Sequence, residues 1–450
     1  MERLYKIRKG LDLNLKGMAQ PKVKTLGLSE VYALMPADFH GVTPKMVVKE
    51  GDEVLVGSPI FVDKATERVK FVSPVSGKVK AVVRGERRKL LSILIDADKD
   101  LKHVSYNVDG WTQWDSEKAM ELLLESGLFA FMKQRPYDVV ATPNQAPKAI
   151  FISTFSKMPL AADFTFVSKG KEDFFKQGIT FLSKFARVNV GISPEQINTP
   201  LLPLKDAEVS VFQGPNPSGN VGVHINHISP INKDEVVWVM SPDMVINLGK
   251  LLTTGKVDFT KVIAVAGAEV TAPQYYEVIA GAPLSDLLKG QLERTEHVRI
   301  INGNPLVGRK DSLEGYLSSV VSEVCAIPEG DDVHEMFGWI APRLKDFSTS
   351  RSYFSWLMGS NKEYNLDCRI KGGERHMIMS GEYDKVFPMD IYAGYLVKAI
   401  ISGDIDKQEQ LGIYEVAPED FAVAEFVDSS KLELQRIVRE GLDILRKENN

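Results

Sequence analysis

Between Met46 and Asp96 apolar side chains fall at every second position, and turn residues cut the pattern into pieces only a few residues long. Met46, Val47 and Val48 lead into Gly51-Asp52; "EVLVGSPIFVD" alternates, "VKFVSPVSGKVKAVVR" alternates again, and "LLSILID" closes the series. A period of two belongs to strands with one face buried and one in water. Gly51-Asp52, Ser73-Pro74 and Ser76-Gly77 supply the turn chemistry. With few helical signals in between, the pattern predicts a small all-β sandwich or barrel, assigned to residues 1–105.

From Ser116 the period changes. "SEKAMELLLESG" offers Ser116 as N-cap and Gly127 as a stop. "AIFIST" and "VNVGIS" read as strands, and between them Phe174, Gly178, Phe181 and Phe185 recur at helical spacing. Strand, helix, strand predicts an α/β layer with a parallel sheet over residues 106–258. "KVIAVAGAEV", "YYEVIAGAPLSDLL" and "HVRIINGNPLVGR" give a single helix on a small mixed sheet, a β-grasp-like outline over 259–312. Residues 313–450 are expected to be mainly helical, ending in a helix with a Ser430/Glu433 capping box and Leu434, Ile437, Val438, Leu442 and Leu445 on one face. The fold class is therefore multidomain α+β.

Two cysteines, Cys325 and Cys368, exclude a disulfide framework, a CxxC pair and an iron–sulfur cluster held by four thiolates of this chain. The longest apolar run, "IYAGYLVKAII", is interrupted by Lys398, so no membrane-spanning helix is expected. "MERLYKIRKG" lacks the apolar core of a secretion signal, so the chain is expected in the cytoplasm, unless a partner holds it at a membrane. Nothing points to a nucleic acid. The net charge of -5 hides a gradient: residues 1–100 carry 19 Lys+Arg against 13 Asp+Glu, and residues 401–450 carry 6 against 12. The basic end either faces an acidic partner or anionic lipid, or is solvated surface.

Known site chemistries find little support in the residues. In "QGPNPSGNVGVHINH" the glycines do not form GxGxxG, no Gly-Lys-Ser/Thr follows, and Pro215 and Pro217 remove N–H donors that a phosphate cradle would use. His224 and His227 stand three apart in what reads as an extended segment, on opposite faces, with rings satisfied by backbone groups and no metal implied. No GxSxG or HExxH occurs, and no catalytic residue can be named.

The stretch "FVDKATERVKFVSPVSGKV" is similar to lipoyl and biotinyl carrier domains, in which a lysine bears the swinging cofactor. Lys64 is the lysine in question. Pairing Phe61-Val62 with Phe71-Val72 sets the hairpin midpoint between Thr66 and Glu67, with Lys64 on the flank. A carrier modified at Lys64 thus becomes the lesser alternative, beside a stand-alone small-ligand-binding protein.

Seven segments taken in order carry a wider resemblance: "IRKGLDLNLKG", "VKEGDEV", "VKFVSPVSGKV", "LLESGLF" with "RPY", "GPNPSGNVGVHINH", "FGW" followed by "SRSYF", and "EYDKVFPMD". Spread over residues 7–390, they resemble the NqrA family, the A subunits of sodium-translocating NADH:quinone oxidoreductases. That family is distantly similar to the flavin-bearing subunit of complex I and the C subunit of the Rnf complex. The resemblance implies a biotinyl/lipoyl-like barrel-sandwich domain, a Rossmann-like layer, a soluble-ligand-binding β-grasp and a helical end. It implies a peripheral subunit on the cytoplasmic face of the bacterial inner membrane, partnered by other subunits and chiefly by one in the membrane. Cofactors are expected to be absent here, with flavins and iron–sulfur centres in the partners and ubiquinone or menaquinone as substrate. Where the relatives carry a glycine-rich flavin loop, this chain reads "ESGLFAFMKQRPYD". Its Phe129, Phe131, Met132, Lys133, Arg135 and Tyr137 are either quinone contacts or a plug for the old flavin cavity with basic groups toward neighbours. Arg84, Arg87, Arg88 and Lys89 are the candidates to face a partner or the membrane.

Overall fold

The computed structural model describes residues 3–334, 343–351, 353–359, 361–377 and 381–449. Phe337-Gly338-Trp339 and Ser352 of the two quoted motifs lie outside the described residues. The alternating N-terminal segment forms a four-stranded sheet (Val31–Leu34, Leu90–Ala97, Gly77–Arg84, Glu53–Val54) facing a three-stranded one (Pro44–Met46, Pro59–Asp63, Lys70–Val72). Their inward residues, among them Ile60, Phe61, Phe71, Val75, Ile93 and Ile95, share one apolar core. Burying that alternating face is what the period of two encodes.

Two strands of the first 25 residues leave this unit. Arg3–Lys6 pairs parallel with Ala207–Gln213, and Gln20–Thr25 pairs parallel with Gln274–Ile279. The N-terminal arm thus extends two other sheets, although the pattern-based division had kept residues 1–105 together.

The first of these sheets runs Arg3–Lys6, Ala207–Gln213, Val188–Ile192, Ala149–Ser153, Val237–Val239, Lys133–Arg135, Val139–Val140. The first five strands are parallel, Lys133–Arg135 runs antiparallel to them, and Val139–Val140 is antiparallel to Lys133–Arg135. Ala149 and Phe151 enter one hydrophobic cluster, Ile150 and Ile152 the other, so "AIFIS" is apolar throughout because both its faces are covered. One face is packed by helices Glu172–Leu182 and Pro242–Thr254, which approach closely at Gly178 and Gly249: a Cβ on either would strike the other helix's backbone. C-terminal helices, chiefly Ala393–Ser402 and Leu434–Glu448, pack the opposite face.

The third sheet runs Arg309–Asp311, Val298–Asn302, Glu323–Pro328, Thr260–Ala266, Gln274–Ile279, Gln20–Thr25. Glu323–Pro328 is the central strand that the sequence reading passed over. Its run Val324-Cys325-Ala326 is buried on both faces and so shows no alternation. The expectation of a mainly helical chain after residue 312 is corrected accordingly: among the described residues no α-helix lies between Leu313 and Glu382.

Three local readings also change. Asp115, not Ser116, caps helix Ser116–Glu125, accepting from the Lys118 N–H at 2.9 Å. The "HINH" segment is helical, Val221–Ile228, because Val223 and Ile225 can bury against the sheet. The Ser430/Glu433 capping box does not form: the last helix begins at Leu434, its Gln435 N–H bonded at 2.7 Å to the Glu425 carboxylate from the preceding helix.

Candidate functional site

The segment Phe129–Tyr137 turns inward. Phe129 sits beneath the sheet with its ring 5.6 Å from Trp238, edge to face, and Met132 is fully buried. Arg135, on strand Lys133–Arg135, is only 1% exposed. Its guanidinium donates to the Asp420 carboxylate at 2.7 Å, to Glu419 at 2.9 Å and to the Glu415 carbonyl at 3.0 Å. Gly222 lies directly over this group, where any Cβ would meet both the guanidinium and the Asp420 carboxylate. Burial works against the Arg135 charge, but Asp420, Glu419 and Asp138 outweigh it and hold the guanidinium protonated.

Asp138 is tied down on the same seam by Arg439 of the last helix at 2.7 Å. Burial pushes its carboxyl up, yet Lys133, Arg439 and Arg135 bring it down to about 2. Tyr137 gives its carbonyl to Arg439 at 2.8 Å and its hydroxyl to the Asn449 amide at 3.2 Å. Of the six residues singled out in this loop, Phe131, Lys133 and Tyr137 keep access to solvent, whereas Phe129, Met132 and Arg135 do not. The segment is foremost the seam between the α/β layer and the C-terminal helices.

The order of the parallel strands reverses between Ala149–Ser153 and Val237–Val239, and outside their carboxyl ends lies a cleft of about 400 Å³. Three carboxylates line it. Asp38 accepts from the Ser319 N–H at 2.8 Å, Glu323 from the Ala162 N–H at 3.1 Å, and Asp243 pairs with Lys261 at 2.9 Å. Burial pushes the Asp38 and Glu323 carboxyls up; for Asp243 the burial penalty is overcome by Lys261 and the net shift is downward. The helix starts bordering the cleft carry acids of their own: Asp163 accepts from Thr165 N–H at 2.9 Å, and Asp243 occupies the first turn of Pro242–Thr254. A phosphate brought here would meet three carboxyl groups, two of them beside a cation (Arg309 at 3.9 Å from Asp38, Lys261 on Asp243), where a nucleotide site offers N–H groups.

A second concavity, about 580 Å³, opens on the barrel-sandwich unit. Phe39, Met46 and Leu90 form its apolar wall, and Arg84, Arg88 and Lys89 its rim. Phe131 backs the wall, its ring 5.4 Å from Phe39 in edge-to-face contact. Arg84, Arg87, Arg88 and Lys89 are all exposed on the turn joining strands Gly77–Arg84 and Leu90–Ala97. Phe131 of the loop and most of the basic cluster, 40 or more residues apart in the chain, therefore adjoin one groove. Sequence reading missed Phe39, His40 and Met46; the signal was the turn-rich "MPADFHGVTPKM", which brings two aromatic rings and two methionines into a polar stretch.

His224 and His227, now on one helix, are each held by a carbonyl: His224 Nε2 lies 2.9 Å from the Ser218 oxygen and His227 Nδ1 2.9 Å from that of Val223. Burial lowers His224 to about 4, so it is neutral at ordinary pH, its ring stacked 3.9 Å from Phe212. Lys64 is exposed beside the hairpin turn; the register Phe61↔Phe71 and Val62↔Lys70 centres that turn on Thr66. His297, Asp331 and Asp332 group their ligand atoms within 4.8 Å on the surface, but Arg294 holds Asp332 at 3.0 Å, which makes the group a salt-bridge cluster.

Family profiles match three stretches: the NqrA N-terminal barrel-sandwich hybrid domain over residues 5–98, the NqrA second alpha/beta domain over 114–257, and the NQRA C-terminal domain over 262–312. The chain is 34% identical to the A subunit of the Na(+)-translocating NADH-quinone reductase of Photorhabdus laumondii over 450 residues, covering 99% of this chain and 100% of that one. The chain belongs to the NqrA family. The corresponding NqrA chain of Alcanivorax borkumensis is likewise 34% identical and that of Neisseria meningitidis 32%, each over 99% of this chain and 100% of theirs. A solved NAD+-reducing nickel–iron hydrogenase matches at 11% identity and a TM-score of 0.36, over 77% of this chain and 66% of that one, which is too distant to bear on the NqrA fold. Among the described residues of this NqrA chain no helix is long and apolar enough to cross a membrane.

Proposed function

We propose that this chain works as the peripheral NqrA component of a sodium-translocating NADH:quinone reductase, without a cofactor of its own, and that it meets quinone at the groove walled by Phe39, Met46 and Leu90. The observation that carries the reading is the acidic cleft at the strand-order reversal. Asp38, Asp243 and Glu323 stand where a Rossmann-like layer would receive a nucleotide phosphate, so flavin and NADH chemistry fall to partner subunits. The groove offers the opposite character, apolar and aromatic surface beside three cations able to donate to a carbonyl oxygen. Phe131 contributes from behind Phe39, and Lys133 and Tyr137 are the other members of the loop with solvent access. The buried Phe129, Met132 and Arg135 support the loop from inside. The biotinyl/lipoyl-like and β-grasp parts act as scaffold toward the other subunits, on the cytoplasmic face of the membrane.

The test is the assembled complex carrying Phe39→Ala or Arg88→Gln. Either change is expected to raise the concentration of a quinone-site inhibitor needed for half inhibition by about tenfold, the worth of one good contact. Normal assembly with an unchanged inhibitor response would remove the groove from the quinone path. Absorbance near 450 nm in the purified chain would overturn the cofactor-free reading.

A further inference from the structure

One run of apolar side chains in the described residues points away from the fold. Phe354–Met358 forms a single 3-10 turn closed by Gly359 at φ +86°, and Phe354, Trp356, Leu357 and Met358 are 56, 47, 65 and 55% exposed. Ser355 faces inward and is fully buried, which fixes the turn in this pose, and a Cβ on Gly359 would meet nothing. Exposed Leu344 and Ile370 belong to the same segment. Cations accompany the aromatic rings: Arg351 stands 5.6 Å from the Trp356 ring centre, and Arg343 5.5 Å from that of Tyr353. From Arg343 to His376 the chain has seven Lys or Arg (343, 345, 351, 362, 369, 371, 375) against four Asp or Glu (346, 363, 367, 374), in a protein of net charge -5; Arg343 and Lys371 pair with Asp346 and Arg369 with Asp367, whereas Lys345, Arg351 and Arg375 are exposed outside those pairs.

We propose that the Phe354–Met358 turn is an anchor in an anionic lipid surface, its four apolar side chains among the headgroups and the exposed Arg351, Lys345 and Arg375 on lipid phosphates. Aromatic and long apolar side chains flanked by cations are the composition that partitions into the membrane interface. An acidic protein is repelled by anionic lipid over most of its surface, so the approaching face has to be locally basic, as this one is. A projecting tip of four side chains is also too small for a stable protein interface, which takes roughly 800 Å² from each partner, whereas lipid accepts an isolated tip. The inference extends the reading of a peripheral subunit but does not depend on the quinone groove.

The full chain is mixed with vesicles of phosphatidylethanolamine and phosphatidylglycerol, or of phosphatidylcholine, and sedimented. Binding is expected to the anionic vesicles only, to weaken in about 0.5 M salt, and to fall about tenfold or more in Leu357→Ser/Met358→Ser with an unchanged unfolding midpoint. Arg84→Gln/Arg88→Gln should bind as the wild type does, which separates this surface from the groove. The proposal is overturned by absent binding, by equal binding to both vesicle types, or by full binding of the serine variant. A photo-crosslinker at position 357 in native membranes should capture lipid; capture of a protein chain in its place would equally overturn it.

Discussion

Two stretches that carry arginine and lysine meet opposite fates. In Phe129–Tyr137 the cation Arg135 is sealed inside, shared between two carboxylates and a carbonyl. In Arg84–Lys89 four cations stand in water on a hairpin turn, and the Arg84 guanidinium donates at 3.2 Å to the Arg88 carbonyl. The presence of cations does not separate them. What separates them is whether an acid from far along the chain arrives to desolvate the cation, as Asp420 does for Arg135 across 285 residues. A cation consumed inside serves stability, and one left at a groove remains available to a ligand.

Breaking the inner pair should cost most. Arg135→Met leaves the buried Asp420 without its counter-charge, and a loss of about 3–5 kcal/mol in denaturant unfolding is expected; a variant as stable as the wild type would undo the comparison. Gly222→Ala forces a Cβ into the same pair and should cost about 1–3 kcal/mol, read in the same unfolding experiment. Acid should weaken the seam as well. The Asp138 carboxyl lies at about 2 in the folded chain against about 3.9 unfolded. A depressed value contributes stability above the unfolded pKa, about 2 kcal/mol, that is lost as pH falls from about 4 through about 2. The stability gap between wild type and Asp138→Asn should therefore close over that range, and a gap unchanged at pH 2 would refute it. The smallest effect belongs to the outer cluster: Arg84→Gln/Arg88→Gln should shift stability by no more than about 0.5 kcal/mol while still altering the inhibitor response of the complex.

Much of the barrel-sandwich unit was legible, since strands such as Gly77–Arg84 and Leu90–Ala97 announce themselves by alternation and by the turns between them. The strands Ala149–Ser153 and Val188–Ile192 were also recognised, with the helix between them. Glu323–Pro328 escaped because a strand covered on both faces carries no period. The "HINH" helix escaped because Gly222 and the β-branched residues around it favour extended chain locally, a preference that burial of Val223 and Ile225 overrides. Of the candidate site residues, the exposed arginines kept the surface setting expected of them, and the loop was divided between surface and interior.

By itself the sequence determined the alternating strands of the barrel-sandwich unit, the strand, helix, strand order of the α/β layer, the family, and the lack of enough cysteines for a cluster of this chain's own. Those properties are local, or survive as ordered motifs along the chain. Only the tertiary structure decided that Arg3–Lys6 and Gln20–Thr25 complete two distant sheets, and that Arg135 is buried against Asp420. Strand edges and buried charges are satisfied by whichever partner the packing delivers, and in each of these cases that partner lies about 200 residues or more away, beyond the reach of any period or spacing.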